Sequence, residues 1–174
     1  MMNKEKFLKW FILFIAIAIN LFILINAFIN GKVSSEESNT IAHTTADVIN
    51  TVKPETITPD NFDRFALDLR KALGHFGLFA FSGVFSSWAT YLFSKDTKTG
   101  YFLTQAIMDL SFGLFMAIIS EFIQTFVDER TGSFLDVGID FAGFFLGFLI
   151  IFIILLLRKS KIFNKANYMK KQAK

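Results

Sequence analysis

Four apolar runs, each long enough to cross a bilayer, constrain this chain more than anything else in it. Residues 11–29 are almost unbroken Phe, Ile, Leu and Ala, and comparable runs cover roughly 72–93, 101–127 and 136–157. About 20 predominantly apolar residues carry a helix across a hydrocarbon core of about 30 Å. Backbone groups inside that core must be satisfied within the segment, which favours helices. The pattern predicts an all-α fold, a four-helix transmembrane bundle. Charge agrees with it: Asp, Glu, Lys and Arg make up 19% of the chain, against about 25% in soluble domains, and they gather at the ends and connections.

The spans divide the chain into a tip and first helix (1–30), a connection (31–69), a core with helices two to four (70–157) and a basic tail (158–174). A signal peptide has an apolar region of about 7–15 residues and a small-residue cleavage site. The first run is longer and lacks one, so it reads as a retained helix over 7–29. Asn20 and Asn26 within it are suited to bonding neighbouring helices. In the connection, residues 34–40 (Ser-Ser-Glu-Glu-Ser-Asn-Thr) read as a mobile loop and 41–52 as a short helix. Thr58-Pro59-Asp60 marks a turn or helix start. Phe62, Phe65, Ala66 and Leu69, three and four apart, form an apolar stripe for the membrane interface or for packing on the bundle. Small residues such as Gly74, Gly77 and Gly83 in helix two permit close helix approach, as does the Gly143–Gly147 pair in helix four. Cysteine is absent, which excludes disulfides and thiolate metal sites.

Lys and Arg near span ends set orientation. The N-terminal tip carries three, the short connection after helix two carries Lys95 and Lys98, and the tail carries seven. The first connection, counted with Arg70 and Lys71 at its end, has seven acidic residues against five basic, and the last turn has Arg130 among Asp128, Glu129 and Asp136. Both termini cytoplasmic, with residues 31–69 and 128–136 extracytoplasmic, satisfies every count. The basic excess thus belongs to a bilayer, and nucleic acid is not an expected partner.

Ionisable groups at membrane depth are expensive and mark function or structural pairing. On this topology Arg70, Lys71 and His75 stand at the outer end of helix two. Glu121, Gln124 and Asp128 form one stripe on helix three, with Glu121 roughly 9 Å inside its end by the rise of 1.5 Å per residue. Arg130 follows in the turn, and Asp136 and Asp140 open helix four. These residues predict one outward polar pocket. A buried Glu121 must be protonated or paired with Arg70, Lys71, Arg130 or His75. His75 suits general acid–base work, and the arginines suit a lipid phosphate. The carboxylates and imidazole can also hold a hard divalent ion, although no metal-ligand or nucleophile motif stands out, so no metal, cofactor or catalytic residue is assigned. A network that only locks the helix ends is the alternative. Asp109, on the inner half of helix three, reads as a paired or water-contacting residue, with ion passage as a second reading.

Two blocks of these residues resemble the VanZ-like family of bacterial membrane proteins. The first is Arg70-Lys71-Ala72-Leu73-Gly74-His75-Phe76-Gly77, similar to the family's basic pair followed by a Gly-His-Phe step. The second is Ser120-Glu121 with Gln124, then Arg130-Thr131-Gly132-Ser133, Asp136, Asp140, Gly143 and Gly147. Ser34-Ser35 also look like the family's serine motif after helix one. Asp140 stands where many members have Asn, and Asp128-Glu129 replaces the Pro-Gly often found before the Arg. The resemblance, over about 61–157, implies a cell-envelope role, the founding member being linked to low-level teicoplanin (glycopeptide) resistance. With the pocket, it leads to the expectation of a multi-pass bacterial membrane protein that binds or modifies a lipid or lipid-linked envelope headgroup.

Overall fold

Residues 3–94 and 101–172 are described by a computed structural model, with side chains described over 3–94 and 103–158. The described chain is helical: α1 (Lys4–Ala27), α2 (Gly31–Val52), α3 (Pro59–Arg70), a π-helical segment (Lys71–Gly77), α4 (Leu78–Ser94), α5 (Tyr101–Gln124) and α6 (Phe134–Gln172). Among the described residues four segments are long and apolar enough to cross a membrane: Lys4–Ala27, Pro59–Ser94, Leu103–Gln124 and Phe134–Arg158. Large apolar side chains stand exposed around them, among them Phe14, Ile25, Phe81 and Phe115. In water such a surface is a liability, and against acyl chains it is the expected face. The architecture is that of a multi-pass membrane protein.

The connection between the first two spans departs from its reading. Residues 34–40 are helix, not loop, because α2 begins at Gly31. Asn30 caps it, its side chain accepting from the Lys32 amide at 2.8 Å, and Ser38 and Thr40 bond back to carbonyls four residues earlier. Its inner face is a file of small side chains at helical spacing (Gly31, Ser34, Ser38, Ala42 and Ala46), of which Gly31, Ala42 and Ala46 are buried. Asn50 closes the turn beyond, accepting from the amides of Thr56 and Ile57. At α3, Pro59 occupies the first turn, and Thr58 and Asn61 form a capping box. His43 stacks on Phe62 at 4.1 Å, joining α2 to α3.

Helix α3 does not form a separate interfacial element. It runs through the π-helical segment into α4 as one helix of 36 residues, about 54 Å at 1.5 Å per residue. That exceeds the bilayer core, so the polar α3 end projects beyond the apolar part. Helix α5 ends at Gln124, three residues before the predicted limit, and α6 continues past residue 157 to Gln172. Lys95 and Lys98 lie outside the described residues, as do the side chains of the basic tail beyond Arg158.

Within the bundle α4 is the hub, touching α1, α5 and, most extensively, α6. A Cβ on Gly83 would collide with the Phe144 carbonyl, one on Gly143 with the Phe76 carbonyl, and one on Gly147 with the Ala80 carbonyl. The two backbones therefore touch directly, where dispersion substitutes for the hydrophobic force that lipid cannot supply. Ile23, Phe79, Met116, Ala117, Phe144 and Phe148 form the main core cluster. Asn20 ties α1 to α4: its amide donates to Ser86 Oγ (3.2 Å) while its oxygen accepts from Ser82 Oγ (2.9 Å).

Candidate functional site

The π-helical segment carries Lys71 and His75, and each reaches α6. Lys71 Nζ lies 3.0 Å from Asp136 Oδ1, and His75 Nδ1 lies 3.0 Å from Asp140 Oδ1. Four-residue spacing on both helices makes these successive rungs between them. Wide π turns recur at functional sites in helices. Here one sits where two basic side chains meet two carboxylates.

Helix α5 adds Glu121 behind the second rung. Its Oε1 is 3.7 Å from His75 Nδ1 and accepts from Gln124 Nε2 at 2.9 Å. Its Oε2 accepts from the Ser133 amide at 3.0 Å. Ser133 precedes α6, and its hydroxyl accepts from the Asp136 amide at 3.4 Å, so it acts as the helix cap. Glu121 thus stands at the positive end of the α6 dipole. The chain reaches it because Gly132 lies against the Glu121 carbonyl, where a Cβ would not fit. Ser120 Oγ, 3.4 Å from Asp140 Oδ2, completes the cluster. Glu121 is 3% exposed and Asp140 1%, so neither carboxylate draws on bulk water.

Arg130 has a different task from pairing with Glu121. Nη1 donates to the Asn26 carbonyl at 3.0 Å and Nη2 to Ser34 Oγ at 2.6 Å. Together with the bond from the Gly31 amide to the Asp128 carbonyl (3.1 Å), this fastens the end of α1 and the start of α2 to the α5–α6 turn. A guanidinium at the α1 C-terminus also complements that helix's orphan carbonyls. Burial and the neighbouring Arg70 charge push the Arg130 guanidinium below its ordinary pKa, while Glu121 acts the other way. Its Nε is buried without a hydrogen-bond partner.

Between these groups lies a cavity of about 340 Å³. Arg70, His75, Arg130 and Asp140 line it, with Ser34 and Ser38 of α2 on one side and Phe22 and Ile23 of α1 on another. Arg70, Lys71, His75, Glu121, Gln124, Arg130, Asp136 and Asp140 are therefore brought to one end of the bundle. Asp128 lies in the turn at the same end, but α5 has ended by then, so the predicted stripe with Glu121 and Gln124 is broken and the Asp128 side chain is exposed, outside the cluster. Glu121 is three residues from the α5 end, about 4.5 Å by helical rise rather than 9 Å. Ser120, Ser133 and the Asn26 carbonyl also belong to the site, although the stripe of polar residues does not mark them. Ser133 carries a local signal, an Asp three residues on at a helix start, whereas a backbone carbonyl carries none.

Asp109 lies away from this site. It is 5% exposed, packed beside Ser87 and Gln105, with Oδ2 unpartnered. No protein-family model matches the chain, and searches among curated proteins and among solved structures find no match either.

Proposed function

We propose that this chain is a VanZ-like integral membrane protein of the bacterial cell envelope, and that its cavity binds the anionic headgroup of a membrane lipid or lipid-linked precursor. One observation carries the reading: Arg70 and Arg130 line the same cavity, close enough to repel, and Arg130 Nε is buried with no partner. Two guanidiniums sharing a recess are best reconciled by an anion between them, and the planar fork suits phosphate or carboxylate. Basic recesses near helix ends are a recurrent way of holding lipid headgroups. The Lys and Arg distribution supports an extracytoplasmic position, with both termini cytoplasmic. The family reading draws support from the meeting of its two sequence blocks, His75 on Asp140 and Gly143 against Phe76.

Mass spectrometry of lipids co-purifying with the chain tests this. Wild type is expected to retain an anionic lipid or precursor above its share of the membrane. Arg70→Gln is expected to lose that enrichment at unchanged Tm, since Arg70 makes no fastening contact comparable to Arg130's. Equal lipid profiles would overturn the reading.

A second reading has its own support. Arg130, Glu121 and Lys71 each fasten one element to another, which a pure helix lock requires and a binding site does not. Glu121→Gln and Arg70→Gln separate the two. Variants that insert and keep their Tm but lose the lipid favour binding. Variants that lose lipid and Tm together favour the lock.

A further inference from the structure

His75, Glu121 and Asp140 pose a charge problem that their hydrogen bonds leave open. Two carboxylates lie almost fully buried beside one imidazole. Of the nearby cations, Lys71 is engaged with Asp136 and Arg130 with Asn26 and Ser34, while Arg70 lines the same cavity but forms no ion pair with Glu121 or Asp140. Even a protonated His75 would leave one negative charge uncompensated if both carboxylates ionise, at a depth where unpaired charge is costly. A neutral imidazole, two carboxylates and a doubly charged cation sum to zero.

Geometry is a separate argument. The three ligand atoms lie within 4.8 Å of one another, with Nδ1 3.0 Å from Asp140 Oδ1 and 3.7 Å from Glu121 Oε1. Bonds of about 2.0–2.2 Å place neighbouring ligands about 3.0 Å apart on an octahedral ion and about 3.4 Å on a tetrahedral one. The two separations measured from Nδ1 bracket those values. Each carboxylate is also aimed from behind, Glu121 by Gln124 and the Ser133 amide and Asp140 by Ser120. Metal ligands characteristically receive such outer hydrogen bonds. His75 and Asp140 line the cavity, which gives an ion its entry path.

We propose that His75, Glu121 and Asp140 form the binding site of one divalent transition-metal ion, coordinated by an imidazole nitrogen and two carboxylates. One nitrogen with oxygens suits Mn²⁺ or Zn²⁺ better than Mg²⁺ or Ca²⁺, which prefer all-oxygen shells. The remaining coordination positions are open to water or to an oxygen of a molecule in the cavity. The site stands apart from the headgroup reading. A chain that takes up Mn²⁺ yet ignores anionic lipid keeps this site and loses that reading, and the converse result does the reverse.

Purified full-length chain in detergent, stripped with a chelator and desalted, is offered Mn²⁺ alone and Zn²⁺ alone. Retained metal is counted per chain. About one ion is expected, with affinity at least tenfold weaker in His75→Gln and in Asp140→Asn, the size of loss seen even for outer-shell changes. Asp128→Asn, exposed in the turn, is expected to bind as wild type does. Where a variant does not fold, pulsed EPR of Mn²⁺-loaded wild type reads a bound imidazole nitrogen directly, and its presence supports the site. Wild type that retains neither ion, an undiminished ion in folded His75→Gln, or an EPR spectrum without imidazole nitrogen would each overturn it.

Discussion

At the scale of single residues, bonding in this chain is set by what the spans deny to water. Asn20 is the clearest case. Its amide and oxygen both find hydroxyls on α4, and interhelical hydrogen bonds in bilayers are worth about 0.6–2 kcal/mol. Asn20→Leu keeps the size and removes both bonds. We expect a loss of that order, read as a lower midpoint in denaturant titration of the detergent-solubilised protein, with α1 becoming the most readily proteolysed span. Arg130→Lys keeps the charge and loses the fork that reaches Asn26 and Ser34 together. Charge-assisted bonds contribute about 1.5–3 kcal/mol each, so a drop of that order in unfolding free energy is expected from the same titration. Glu121, Asp136 and Asp140 were legible in the sequence because a carboxylate beside apolar spans is conspicuous. Which cation meets which carboxylate was not. Arg130 points along the α1–α2 junction rather than at Glu121, and only the path of the turn decides that.

At the scale of elements, the α4–α6 contact and the α5–α6 turn make opposite demands on glycine. Gly83 lies against the Phe144 carbonyl, so Gly83→Ala forces the helices apart and is expected to cost about 1–3 kcal/mol. Gly138 on α6 has open space where a methyl group would stand, with nothing within 4 Å. Gly138→Ala is therefore expected to be neutral or stabilising by up to about 1 kcal/mol through helix propensity. Thermal unfolding of the two variants side by side checks the contrast. In the turn, Glu129 adopts φ 60°, a left-handed conformation that favours glycine. Glu129→Gly is expected to hold or raise Tm while leaving the Gly31–Asp128 bond in place. The sequence reading caught α2 over 41–52 but took 34–40 for a loop, and the miss has a physical reason. The inner stripe of α2 is defined by size, through Gly31, Ser34, Ser38, Ala42 and Ala46, while hydropathy shows only a polar stretch rich in Ser and Thr. Such residues bond their own backbone and ordinarily weaken helices, so the polarity masked a periodicity that the small side chains did contain.

At the scale of the whole molecule, the absence of cysteine makes orientation directly measurable. Single cysteines at residues 48 and 129 are expected to react with an impermeant thiol reagent added to intact cells, and one at residue 5 only after permeabilisation. The reverse pattern would move the cavity to the cytoplasmic face and remove an envelope headgroup from its reach. The four spans and the confinement of charge to their ends follow from the amino-acid order alone, because a bilayer rewards about 20 apolar residues whatever their neighbours are. The candidate residues are equally local, since their cost at membrane depth belongs to each side chain separately. Their partners, the small-residue roof that α2 forms beside the cavity, and the gathering of one imidazole with two carboxylates depend on helix rotation and on how closely glycine lets two backbones approach. Those are properties of helix pairs, and only the packed bundle fixes them.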